Sequence, residues 1–133
     1  MSVHRVPGAV ELLTHLIAVY RAEAEADWCN QSKDFHRAVA ADAEWTLAKH
    51  TGAPLGKRTP HAKPTLKRAI HEVCRELVIC CLADRRKRNR RGGVSYLAAR
   101  RNAAELVGVP YAVFIKLYTG VIPKCVVLEG GRP

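Results

Sequence analysis

Apolar residues return every three or four positions through most of this chain, the spacing of helices that bury one side. Val10, Leu13, Ile17, Tyr20 and Ala24 mark a first amphipathic helix of about five turns, ending near Trp28. Ser32 can cap a second, whose apolar side is read as Phe35, Val39 and Trp45 and whose stop is Gly52. Pro64 opens a third helix, where its missing N–H does no harm. Leu66, Ile70, Val73, Leu77 and Cys80 or Cys81 line one face of it, with Lys67, Arg68, His71, Arg75 and Glu76 mostly on the other. Gly92 and Gly93 break the chain, Ser95 can cap a fourth helix over Tyr96–Val107, and a fifth runs from Tyr111 to Tyr118. The tail residues Cys125, Val126, Val127 and Leu128 allow one short strand, without a partner strand elsewhere. The pattern predicts an all-α fold of about five helices, in a single domain over residues 1–133.

Charge divides that domain. Residues 1–56 hold five Lys/Arg against seven Asp/Glu, whereas residues 57–133 hold seventeen against five, for a net charge of +10 over the chain. The stretch Thr51–Lys63, rich in Gly, Pro and Lys, reads as the surface loop between a neutral-to-acidic helical half and a basic half. Residues 57–93 form the basic helix with an arginine block, and residues 94–133 the last two helices and the tail. The asymmetry predicts a polyanionic partner for the second half, nucleic acid before an acidic protein or an anionic membrane surface. The first two helices complete the core and can serve a homodimer.

Other chemistry finds little support. Cys29, Cys74, Cys80, Cys81 and Cys125 are odd in number and follow no disulfide framework; Cys74, Cys80 and Cys81 sit among Val, Leu and Ile as small apolar core residues. That usage predicts a reducing, cytoplasmic setting. The N-terminus carries Glu11 and His15 inside its apolar run and no small-residue cleavage site, and no segment reads as a membrane span. His71 and Cys74 are one helical turn apart, but Cys74 belongs to the apolar pattern and there is no CxxC pair, so no metal is expected. No nucleophile–base pair, carboxylate pair or phosphate-cradling glycine loop appears, which predicts neither an enzyme nor a cofactor.

The segment RNAAELVGVPYAVFIKLYTG, residues 101–120, is the most specific. Gly108 supplies a residue at ease at positive φ between two short helices, and Ala104, four positions earlier, lets them approach. Ala103, Val107, Val109, Phe114 and Leu117 fall where the meeting faces must be apolar. On these residues the segment resembles the helix-turn-helix of bacterial and phage repressors, the lac-repressor-like and Cro-like kinds above all. The resemblance covers about twenty residues and implies that the second helix enters the major groove of DNA. It implies base contacts from Tyr111, Ala112, Ile115, Lys116 and Thr119, with Pro110 beside them. That helix has no Arg, Asn or Gln; Lys116, Tyr111 and Thr119 are its polar probes, and Ala112 and Ile115 can meet thymine methyls. The alternative is a packed helical corner that Gly108 merely turns.

The block DRRKRNRRGG precedes it. Arg85, Arg86, Lys87, Arg88, Arg90 and Arg91 place six cations in seven positions, more than a helix C-terminus needs to offset its dipole. With Arg100 and Arg101 they are candidate phosphate contacts, which give affinity without sequence information. The same run resembles the arginine-rich helices of phage antitermination proteins, which implies RNA stem-loops as a second target. The expectation is a small DNA-binding transcriptional regulator of bacterial, phage or plasmid type that occludes its site. An antitermination-type RNA binder and a phage-type protein-binding inhibitor or adaptor are the alternatives.

Overall fold

Leu12, Leu13, Leu16, Ile17 and Tyr20 recur at helical spacing, and all five are buried in the computed structural model. The structure describes residues 8–25, 33–54, 65–88 and 95–121. Its five helices are α1 (Ala9–Ala24), α2 (Lys33–Thr51), α3 (Leu66–Arg88), α4 (Tyr96–Val107) and α5 (Tyr111–Tyr118). No strand occurs among the described residues; the expected short strand over 125–128 lies outside them.

The helices gather around α3, which packs against α1, α2, α4 and α5. A helix in that position must be apolar on more than one side, and α3 is: Ala69, Ile70, Val73, Cys74, Leu77, Val78, Cys80, Cys81 and Leu82 are all buried. Each large aliphatic side chain among them contributes about 1.5–3 kcal/mol of burial. Cys74, Cys80 and Cys81 are free thiols that pack as small apolar groups, and burial pushes the Cys74 thiol up to about 12. Cys29 and Cys125 lie outside the described residues.

α1 begins where the Glu11 carboxylate accepts from the Gly8 amide at 3.1 Å. It ends at Ala24, with the Glu25 amide donating to the Arg21 carbonyl, rather than near Trp28, which is outside the described residues. Two arginine–carboxylate forks tie α1 to α2. Arg21 holds Glu44 at 2.6 and 3.1 Å, and Arg37 holds Glu25 at 3.0 and 3.1 Å.

α2 is turned differently from the expectation. Its buried side is His36, Ala40, Ala43 and Thr46, whereas Phe35 is 41% exposed and Trp45 lies half-buried under the Lys49 ammonium. Small residues win the inner side because they let α2 lie close against α1 and α3. His36 is tolerated there because its ring is satisfied: Nδ1 pairs with the Tyr20 hydroxyl, and the Cys80 sulfur lies 3.8 Å from Nε2. Burial lowers the His36 pKa.

Candidate nucleic-acid interface

Local sequence fixes both ends of α4. The Ser95 hydroxyl accepts from the Ala98 amide at 3.3 Å, and Gly108 closes the helix at φ 85° and ψ 27°. The Gly108 amide donates to the Glu105 carbonyl at 3.1 Å, and the Val109 amide to the Ala104 carbonyl at 3.2 Å. This is a Schellman closure, which a glycine makes without Cβ strain. Its apolar partner, Val109, is buried beside Ala103, Ala104 and Val107. α5 ends the same way: Gly120 lies at φ 93°, its amide donates to Leu117, and the Val121 amide donates to Lys116 at 2.7 Å. The expected meeting residues Phe114 and Leu117 are buried at 0% and 1% exposure.

An interaction that sequence patterning gave no sign of holds this corner to the rest of the protein. His15, on α1, lies with Nε2 2.6 Å from the Val107 carbonyl, one of the acceptors a helix end leaves unpaired. It joins residues 92 apart in the chain and pins the end of α4 just before Gly108.

The outer face of α5 carries the residues expected to read bases. Ala112, Lys116 and Thr119 are exposed along one stripe, with Tyr111 and Ile115 half-buried at its flank and Pro110 exposed at its start. The Thr119 hydroxyl donates back to its own helix, 3.0 Å from the Ile115 carbonyl and 3.1 Å from that of Lys116. Its outward offering is therefore a methyl group and oxygen lone pairs. Pro110 provides no side-chain cap to the amides of the first turn.

Arg100 and Arg101 are held against this helix by aromatic rings. The Arg101 guanidinium lies over Tyr111, 5.5 Å from the ring centroid, and that of Arg100 lies over Tyr118 at 5.9 Å. Tyr118 in turn stacks on Phe114 at 6.3 Å. Arg85, Arg86, Lys87 and Arg88 fall on the last turns of α3, while Arg90 and Arg91 lie outside the described residues.

The described arginines are treated in two ways. Arg21, Arg37 and Arg68 are neutralised by Glu44, Glu25 and Glu72. The Arg37 guanidinium holds the Glu25 carboxyl below its usual range, chiefly through the hydrogen bond between them. Among the described residues no carboxylate pairs with Arg100, Arg101 or the nearby Lys116. The paired arginines belong to the acidic half or to α3, where Arg75 is unpaired, and a group of three uncompensated cations lies on α4 and α5.

Among the described residues no group of three His, Cys, Asp or Glu side chains could hold a metal, and no helix is long and apolar enough to cross a membrane. Comparison with protein-family models, with curated proteins and with solved structures gives no match. A functional reading of this corner therefore rests on its own residues.

Proposed function

We propose that this chain is a small nucleic-acid-binding regulator whose target is duplex DNA. α4, the Gly108 turn and α5 act as a helix-turn-helix, with α5 in the major groove. The observation that carries this reading is the set of uncompensated cations around the exposed stripe of α5: Arg100, Arg101 and Lys116 lack carboxylate partners, whereas Arg21, Arg37 and Arg68 each have one. Surface charge left unpaired beside a polar stripe suits a phosphate backbone.

In this arrangement Lys116 and Tyr111 reach base edges, while Ala112, Ile115 and the Thr119 methyl meet thymine methyls. Arg101, steadied on Tyr111, and Arg100, steadied on Tyr118, take phosphates on the flank. The arginine block at residues 85–91 adds further phosphate contacts. The protein acts by occluding its site.

The test is fluorescence anisotropy with three probes: a duplex selected from a random pool, a random duplex and an RNA hairpin. Tyr111→Ala with Lys116→Ala should narrow the gap between selected and random duplex. Replacing Arg85, Arg86, Arg88, Arg90 and Arg91 by Ala should weaken both alike. Preference for the hairpin over every duplex would hand the function to the arginine block as an RNA binder, and binding to none of the three would refute the proposal.

A further inference from the structure

Between α2 and α3 runs an open groove of about 560 Å³, on surface the nucleic-acid reading does not use. Phe35 and Val39 form its apolar wall with Asp42 beyond them; Arg75, Glu76 and His71 face them from α3. Its size is that of a small-molecule site, and Phe35 and Val39 are the apolar part of a lining that is otherwise polar or charged.

Glu76, one of the lining residues, has an unmet hydrogen-bonding demand. The Glu76 Oε1 atom is buried and has no protein donor. Buried polar atoms without partners are rare in proteins and costly where they occur. Desolvation raises the Glu76 carboxyl above its ordinary range, even with the Arg75 charge pulling the other way. The neighbouring pair does not help: Arg68 is engaged with Glu72 at 3.4 Å, one turn earlier on α3. Asp42, Glu72 and Glu76 share the groove with Arg68 and Arg75.

We propose that this groove binds a small organic amine: its ammonium donates to Glu76, and its apolar body lies on Phe35 and Val39. An ammonium supplies the donors that Glu76 lacks and a charge opposite to that of its carboxylate. Phe35, 41% exposed at the groove edge, gives the body an aromatic surface to cover. Arg75 forms no ion pair among the described residues and stands next to Glu76, in place to take the carboxylate if the amine is an amino acid. This inference does not depend on the proposed DNA binding.

The experiment titrates the full chain, free of nucleic acid, with 2-phenylethylamine and with L-phenylalanine, followed by amide chemical shifts and calorimetry. Both probes carry an ammonium and an aromatic body; only the second has a carboxylate. Saturable binding with shifts centred on residues 35–42 and 68–76 is expected for at least one of them. Glu76→Gln should lower that affinity about tenfold or more, as expected when a charge-assisted hydrogen bond is removed. Val39→Trp, which fills the groove and leaves Glu76 in place, should abolish it. Tighter binding of L-phenylalanine, abolished in Arg75→Gln, identifies the ligand class as amino acids; equal binding identifies simple amines. Urea midpoints of all variants separate impaired binding from impaired folding. No saturable binding of either probe, or affinity unchanged in a folded Glu76→Gln, overturns the inference.

Discussion

Replacing Gly108 tests the corner on which the functional reading turns. Gly108 lies at φ 85°, and a Cβ built there meets nothing within 4 Å. The cost of a side chain is therefore conformational and not a clash. An alanine forced into this region loses about 1–2 kcal/mol, reduced by about 0.4–1 kcal/mol because the unfolded chain also becomes stiffer. A β-branched valine loses more, about 1–3 kcal/mol. Asparagine, which tolerates the left-handed region, should lose least. The order of urea midpoints should be parent, Asn, Ala, Val, with melting temperature falling by about 2–8 °C per kcal/mol. Gly52 is the control. It lies at φ 79° at the end of α2, also with nothing within 4 Å of its built Cβ, so Gly52→Ala carries the same backbone cost. Both variants should lose similar stability, but only Gly108→Ala should weaken duplex binding at a temperature where both are folded, because only it moves α5 against α4. A Gly108→Val protein that melts with the parent refutes the left-handed turn. Equal binding losses for Gly52→Ala and Gly108→Ala refute the link between this turn and recognition.

Three further outcomes are expected. Replacing Arg100 and Arg101 by Ala should flatten the slope of log K against log salt on duplex DNA by about 0.9 for each phosphate that is no longer neutralised, and an unchanged slope removes them from the interface. The His36 pKa is lowered by burial from 6.5, so the folded state resists the proton that the unfolded state accepts; stability is then full above 6.5 and falls as the pH drops below it toward the lowered value, a fall that urea midpoints across that window should show in the parent and not in His36→Gln. Cys74, Cys80 and Cys81 are buried free thiols, so alkylation without reductant should leave them unmodified in the native protein and modify them in denaturant; rapid native labelling of all three would contradict the packing of α3.

How much of this was legible in the sequence depends on what each position demands. The α4–α5 corner was legible residue by residue because its geometry admits few side chains. A left-handed closure wants glycine, a close crossing wants alanine, and Gly108 and Ala104 meet both at the required offset. One face of α3 was legible from Leu66, Ile70, Val73, Leu77 and Cys80 or Cys81, whereas the burial of Ala69, Val78 and Leu82 beside it comes from the neighbours that surround the helix on more than one side. α2 was misread because hydropathy ranks Phe35 and Trp45 above Ala40 and Ala43, whereas close packing selects for size; the buried His36 was hidden for a related reason, since its acceptance depends on the Tyr20 hydroxyl, sixteen positions away on another helix. The same limit hid the pairing of His15 with the Val107 carbonyl and the stacking of Arg100 on Tyr118.

Charge adds a step that the sequence total conceals. In the acidic half Arg21 and Arg37 are joined to Glu44 and Glu25 in forks that hold α1 to α2, so their charges are consumed by the fold. Arg100 and Arg101 are anchored instead by aromatic rings, which fix a guanidinium in place without cancelling its charge. An exposed ion pair would have steadied Arg101 as well, but it would have cancelled its field beyond the surface. Tyr111→Leu keeps an apolar side chain under Arg101 and removes the ring's attraction for the cation. Stability should change little, while duplex binding weakens because Arg101 is no longer held toward the flank of α5. On a random duplex, where base contacts do not count, the Tyr111 substitution should then have much less effect in Arg101→Ala. Additive losses from the two substitutions would show that the stack does not position the arginine, and that Tyr111 and Arg101 touch the duplex independently.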